Sequence, residues 1–212
     1  MFRKLNISID DINNGLKSAF IRYRMEDVSS KTSLDIIGKN SLLYFDGSHN
    51  PAGAKAVADF IISENQKKYM RTYIINGRTA ETDSLSFLYN FRKIVHGVIA
   101  VASKFEGLPE SPYIIKKTSE ELGINSDIAI SIKDALEKIL YLDKNRREMS
   151  KISVYKDFLL HLELIPQTRN ELLEMMHNEW LYRNNYDGIR VIICGSFYIA
   201  RDLRYEGFDV RF

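Results

Sequence analysis

The stretch LYFDGSHNPAGAKAVADFI, Leu43 to Ile61, begins as a strand and ends as a helix. Leu42 to Phe45 form an apolar run bounded by Asn40 and by Asp46-Gly47. Ala54, Val57, Ala58, Ile61 and Ile62 then recur at i, i+3, i+4, i+7 and i+8, one apolar stripe of a helix. Between them lies Asp46-Gly47-Ser48-His49-Asn50-Pro51. A strand-to-helix turn of this kind is one half of a βαβ unit, and the chain repeats the pattern.

RTYIIN (71–76) reads as a strand, followed by a helix over 84–95 with Leu85, Leu88, Phe91, Ile94 and Val95 on one side. GVIAVA (97–102) is an apolar strand, and IAISI (128–132) a weaker one. Thr118 and Glu121 have capping-box spacing over a short helix that Gly123 stops. Ser131 is the expected cap of a helix carrying Ala135, Leu136, Ile139 and Leu140. RVIICG (190–195) is a further buried strand, and FYIARDLRYEG a closing helix. Near the start, Ile9, Ile12, Leu16 and Phe20 mark a helix with Asp10 as its expected N-cap. Fully apolar strands alternating with amphipathic helices imply a mostly parallel sheet covered on both faces. The expected fold is therefore α/β, Rossmann-like and three-layered.

The rhythm breaks from about residue 144 to 186, where no strand pattern occurs. Two amphipathic helices joined at Pro166 are expected there, a helical insertion. Leu172, Leu173, Met176, Trp180 and Leu181 make a stripe suited to core packing or to an adaptable partner surface.

Thirty basic and 28 acidic residues in 212 leave a net charge of +2, so no electrostatic case exists for nucleic acid or an anionic membrane. Lys144, Arg146 and Arg147 beside Asp143 and Glu148 read as a solvated helix face. One cysteine, Cys194, excludes a disulfide framework and fits a reducing cytoplasm, the expected location. In an apolar strand it serves as a small hydrophobe. No long apolar run at the start suggests a secretory signal, and no run approaches the ~18 residues of a membrane span. A Walker-type phosphate loop and a G-x-G-x-x-G fingerprint are both missing. His49, His96, His161 and His177 show no i, i+4 pairing, so no metal site is expected.

In open α/β sheets ligands gather beyond the carboxyl ends of strands, where Asp46 sits. Asn50 can cap the helix and Pro51 suits its first turn, which needs no function. Gly47 need only make a tight turn. For Asp46 and His49 two readings stand. They stabilise the turn, or an anion sits at the helix N-terminus beside an imidazole that Asp46 orients. Cys194-Gly195-Ser196-Phe197 is a second turn at a strand end. Ser196 faces the same rim if the two strands are neighbours.

LYFDGSHNPAGAKAVADFI resembles the L-D-x-A-H-N-P signature of the folylpolyglutamate synthase/dihydrofolate synthase family, in the Mur ligase superfamily. VIICGSFYIARDL resembles that family's G-S-[FL]-Y segment, and INNGLKSAFIRYRMEDV its G-L…W-P-G-R-[LM]-E stretch, which leads into the C-terminal domain. The resemblance implies the Rossmann-like C-terminal domain of a Mur-type ligase over residues 31–212, with 1–30 as the interdomain connector. It implies an ATP-dependent ligase that joins L-glutamate to a folate or pteroate carboxylate through an acyl phosphate. It makes Asp46 and His49 the catalytic candidates. Arg24 and Asn50 become the expected nucleotide contacts, and Ser196 a contact to the amino-acid substrate. ATP and magnesium are the implied cofactors, held mainly by an N-terminal ATPase domain.

That domain is absent from these 212 residues and is expected as a partner, on the same or a separate polypeptide. Ile21-Arg22-Tyr23 replaces W-P-G, and Thr82 stands where the family's G-x-x-x-D-K-D segment has lysine, although Asp83 remains. Two functions therefore stand: half of a folate:L-glutamate ligase, inactive alone, or a non-catalytic remnant or interaction module that keeps the fold. The G-S-F-Y ending favours the folate branch over a peptidoglycan-type ligase.

Overall fold

The computed structural model describes residues 7–18, 22–80, 83–145 and 188–208. The chain runs α1 (Ile9–Ser18), β1 (Glu26–Asp27), α2 (Lys31–Ile37), β2 (Leu42–Asp46), α3 (Pro51–Lys67), β3 (Arg71–Asn76), α4 (Ser84–Tyr89), β4 (Gly97–Ala100), α5 (Pro112–Glu121) and β5 (Ser126–Ile128). A helix over 132–145, α6, follows, then β6 (Ile189–Cys194) and α7 (Ile199–Tyr205).

The strands form one sheet in the order β1-β2-β6-β3-β4-β5. Only β1 is antiparallel; it pairs Glu26 with Phe45. The other pairings are parallel. β6, last in the chain, lies between β2 and β3. Its register sets Asp46 beside Cys194, and Cys194 beside Asn76, so three strands end together at one edge.

Alternate strand residues feed two cores, as a pleat requires. Leu43, Phe45, Tyr73, Ile75, Val191 and Ile193 point to the side covered by α2, α6 and α7. Ile74, Val98, Ile192 and Cys194 point to the side covered by α3, α4 and α5. The fold is α/β with helices on both faces of a mostly parallel sheet, as the apolar strands imply. Cys194 is fully buried, and burial pushes its thiol up to about 12, so it behaves as the small hydrophobe its surroundings demand.

Several local readings change. α1 is capped by Ser8, not Asp10. The Ser8 hydroxyl accepts from the Asp11 N–H at 3.0 Å, and the Asp11 carboxylate accepts from the Ser8 N–H at 2.9 Å. Thr118 lies in the last turns of α5, which starts at Pro112, so its spacing to Glu121 is no capping box. Gly123, at φ 75°, does end that helix. β4 stops at Ala100, and β5 covers Ser126–Ile128 rather than 128–132. Leu85 and Ile62, placed on apolar stripes, are exposed. Ser131 caps α6 as expected, accepting from the Asp134 N–H at 3.1 Å.

Asp143 is not part of a solvated face. It is fully buried, 3.2 Å from Arg71 Nε, and accepts from the Tyr73 hydroxyl at 3.0 Å. This buried pair fastens α6 to the start of β3. The expected insertion beyond residue 145, its Met- and Trp-bearing stripe and Thr82 lie outside the described residues. No helix among the described residues is long and apolar enough to cross a membrane.

Candidate functional site

Three turns meet where β2, β6 and β3 end. After Asp46 the chain passes through Gly47-Ser48-His49 into α3. Asn50 is extended at φ −131°, and its side chain accepts from the Gly53 N–H at 2.9 Å, with Pro51 in the first turn. Asn50 is thus an N-cap, and its side chain is exposed beside the rim. After Cys194 the chain turns through Gly195-Ser196-Phe197-Tyr198 into α7. After Asn76 it runs through Gly77-Arg78.

Backbone hydrogen bonds stitch the turns together. The Gly195 N–H donates to the Ser48 carbonyl at 2.8 Å, and the Gly77 N–H to the Cys194 carbonyl at 3.3 Å. Gly195 has φ 117°, and a β-carbon there would lie 2.4 Å from the Gly77 carbonyl oxygen. Only glycine lets these turns approach so closely.

The connector reaches the same place. The Gly47 N–H donates to the Tyr23 carbonyl at 2.6 Å. Asp46, 5% exposed, accepts from the Met25 N–H at 2.9 Å and the Ser48 N–H at 2.8 Å, and its carboxylate lies 3.7 Å from Arg24 Nη1. Tyr23 and Met25 both adopt positive φ, 63° and 46°, a costly backbone for side chains of their size. Asp46 receives the strained segment, so Arg24 is aimed at the rim by a buried carboxylate.

His49 is exposed. Its Nδ1 lies 3.2 Å from the Gly47 carbonyl oxygen, which can only accept. Nδ1 therefore carries a proton in that contact, and in the neutral ring Nε2 is left as the acceptor. The Asp46 carboxylate is engaged by Arg24, Met25 and Ser48 instead, so it does not orient the imidazole.

Ser196 is buried at 4%; its hydroxyl donates to Glu106 Oε2 at 3.1 Å and accepts from the Tyr198 N–H at 3.2 Å. Phe197, 42% exposed, lies across the junction. Its ring centroid is 6.0 Å from those of Tyr23 and His49, and 5.6 Å from the Arg24 guanidinium carbon. Arg24, Asp46, His49, Asn50 and Ser196 are thus gathered on one rim.

Arg78 was not expected there. Its side chain is fully buried, stacked 4.0 Å from the Phe87 ring centroid and 3.6 Å from Glu110, and its Nη2 donates to the carbonyls of His49 (3.4 Å) and Asp83 (3.3 Å). Burial lowers its pKa, against the pull of Glu110. A basic residue two positions past the end of β3 was its signal in the sequence. Glu106 gave none, because its partner Ser196 is distant in the chain. Among the described residues no three His, Cys, Asp or Glu side chains gather as a metal cage. A separate groove of about 530 Å³, lined by Tyr69, Lys93 and His96 among others, contains none of the rim residues.

No protein-family model matches the chain, and no curated protein does. Solved structures do. Mycobacterium tuberculosis folylpolyglutamate synthase complexed with ADP aligns with a TM-score of 0.55 at 13% identity, over 97% of this chain and 36% of that one. The bifunctional folylpolyglutamate synthase/dihydrofolate synthase of Yersinia pestis, complexed with AMPPNP and Mn ion, aligns at 0.54 and 15% identity, over 96% and 35%. E. coli FolC in complex with DHPP and ADP aligns at 0.52 and 16% identity, over 96% and 35%. The chain spans about a third of the length of the solved structures it matches. Its α/β fold is that of the C-terminal domain of folylpolyglutamate synthases.

Proposed function

We propose that this chain is the C-terminal domain, or separate half, of an ATP-dependent folate:L-glutamate ligase, and that it is inactive alone. One observation carries the reading: the three segments that resemble the family's motifs converge on one rim, joined by Arg24–Asp46 and by the Ser48–Gly195 backbone bond. Solved structures of the same fold hold ADP or AMPPNP.

Arg24 fits a nucleotide phosphate. Its guanidinium is half-exposed and held from behind by Asp46. ATP, when bound with magnesium, supplies the phosphoryl group that activates the acceptor carboxylate. Asp46 is then a positioning residue that acts through Arg24. His49 stands at the rim with Nε2 as acceptor, suited to take a proton from the attacking amine. Asn50 holds the start of α3 so that its N–H groups face the same cleft. Ser196, tied to Glu106, fixes the turn that faces the amino-acid substrate. The P-loop and most folate contacts belong to the N-terminal ATPase domain, the partner in this reading, and the complete enzyme works in the cytoplasm.

The test mixes this chain with a separately made N-terminal domain from the same source and follows ATP- and glutamate-dependent ligation of dihydropteroate and tetrahydrofolate. Ligation by the mixture, lost in His49→Ala, is expected. Turnover by this chain alone contradicts the reading. Neither ligation nor association of the pieces leaves a non-catalytic interaction module.

A further inference from the structure

Asp202 lies in α7 and is only 5% exposed. One oxygen, Oδ1, accepts from the Lys104 N–H at 3.1 Å. The other, Oδ2, is buried and receives no hydrogen bond from the protein. Asp202 lines a cavity of about 10 Å³ together with Ala102, Lys104, Ile130, Ser131 and Glu206, which is room for about one water-sized sphere.

The charges around the cavity do not balance. Glu206 is compensated: its two oxygens accept the N–H groups of Ile132 at 3.0 Å and Lys133 at 2.8 Å, in the first turn of α6. The Lys104 ammonium lies 5.2 Å from the centroid of the Tyr205 ring, itself 70% exposed, so Lys104 offers Asp202 only its backbone N–H. No ion pair joins Asp202 among the described residues. A buried carboxylate oxygen without a partner is costly and is relieved by a donor, a proton or a cation.

We propose that a monovalent cation of sodium's size binds in this cavity against Asp202 Oδ2. The side chains with ligating atoms on its wall offer oxygen: two carboxylates and the Ser131 hydroxyl, with no sulfur or imidazole. Oxygen is what hard cations take. A dehydrated sodium ion occupies about the space of one water, whereas magnesium keeps several waters and needs more room. The site ties the loop after β4 to α7. The same loop meets the turn that leads into α7 at Glu106 and Ser196, 3.1 Å apart, so the cation steadies the G-S-F-Y turn. It stands independently of the ligase reading.

Thermal unfolding of the full chain in sodium chloride, against N-methyl-D-glucamine chloride at equal ionic strength, tests the site. Sodium at about ten times its Kd raises the Tm of a chain this size by roughly 3 °C, and the rise saturates. The rise is absent in D202N and present in D59N, whose carboxylate is exposed on α3. Broadening of the ²³Na resonance by the unmodified chain reads binding directly, so the outcome does not depend on whether D202N folds. Equal Tm in the two salts with no ²³Na broadening overturns the proposal.

Discussion

A β-carbon placed on Gly47 would lie 2.0 Å from Cε1 of Phe197, well inside any real contact. Gly47 is therefore glycine because an aromatic ring lies on it, and the ring is there because Tyr23 and Arg24 hold its other sides. Gly47→Ala must push the half-exposed ring off its rotamer, which costs about 1 kcal/mol. A lowered urea midpoint at constant slope is the expected signature. Gly47→Ala combined with Phe197→Ala recovers much of the loss, since the two share one contact. Additive losses would mean the ring is not the obstacle. From the sequence Gly47 suggests only a tight turn, because nothing local says that a residue 150 positions later covers it. Asn50, by contrast, was legible: a cap and its helix are neighbours in the chain. Asp46 was legible as a strand-end acid but not in its role, since its partners Arg24 and Met25 lie on a separate segment.

Elements were legible to the extent that their signals are local and one-sided. β2, β3 and β6 are short, apolar on both faces and bounded by turns, and they form where the pattern puts them. α5 shows the limit. Ser/Thr-x-x-Glu spacing also occurs inside a helix, where residues three apart share a face, so Thr118 and Glu121 cannot alone mark a start. The real start is Pro112, whose missing N–H costs nothing at the first turn. Asp143 misled for a related reason: charges around it suggested solvent, and only the fold reveals Arg71 and Tyr73 against it. α3 offers the direct check on element-scale reasoning. Its N-cap is a single exposed side-chain bond from Asn50, so Asn50→Ala should cost about 1 kcal/mol and Asn50→Asp almost nothing. Equilibrium urea unfolding measures both. Equal losses for the two variants would show that Asn50 acts through something other than the cap.

The order of strands in the whole molecule differs from their order in the chain, and this has a consequence for folding. β6 follows the other five strands of the sheet in the chain, yet it fills the slot between β2 and β3. Every residue of β6 is buried, and it pairs along its length with both neighbours. Its Arg190 is anchored too, donating to Asn65 of α3 at 2.8 Å and Thr72 of β3 at 3.2 Å. Without β6 the sheet falls into two pieces: β2 with β1, and β3 with β4 and β5. Each would expose an apolar strand edge, and neither would close the core between α2, α6 and α7. The stable sheet thus depends on contacts more than a hundred residues apart, whose loop entropy must be met before they contribute. A chain ending at residue 187 is expected to show no cooperative urea transition and no protected strand amides in hydrogen exchange. Adding the peptide 188–212 in trans should restore both, because the missing strand has a slot with hydrogen-bonding partners on each side. A cooperative transition in the shortened chain would mean that two half-sheets are stable separately, and that β6 joins preformed units rather than completing one.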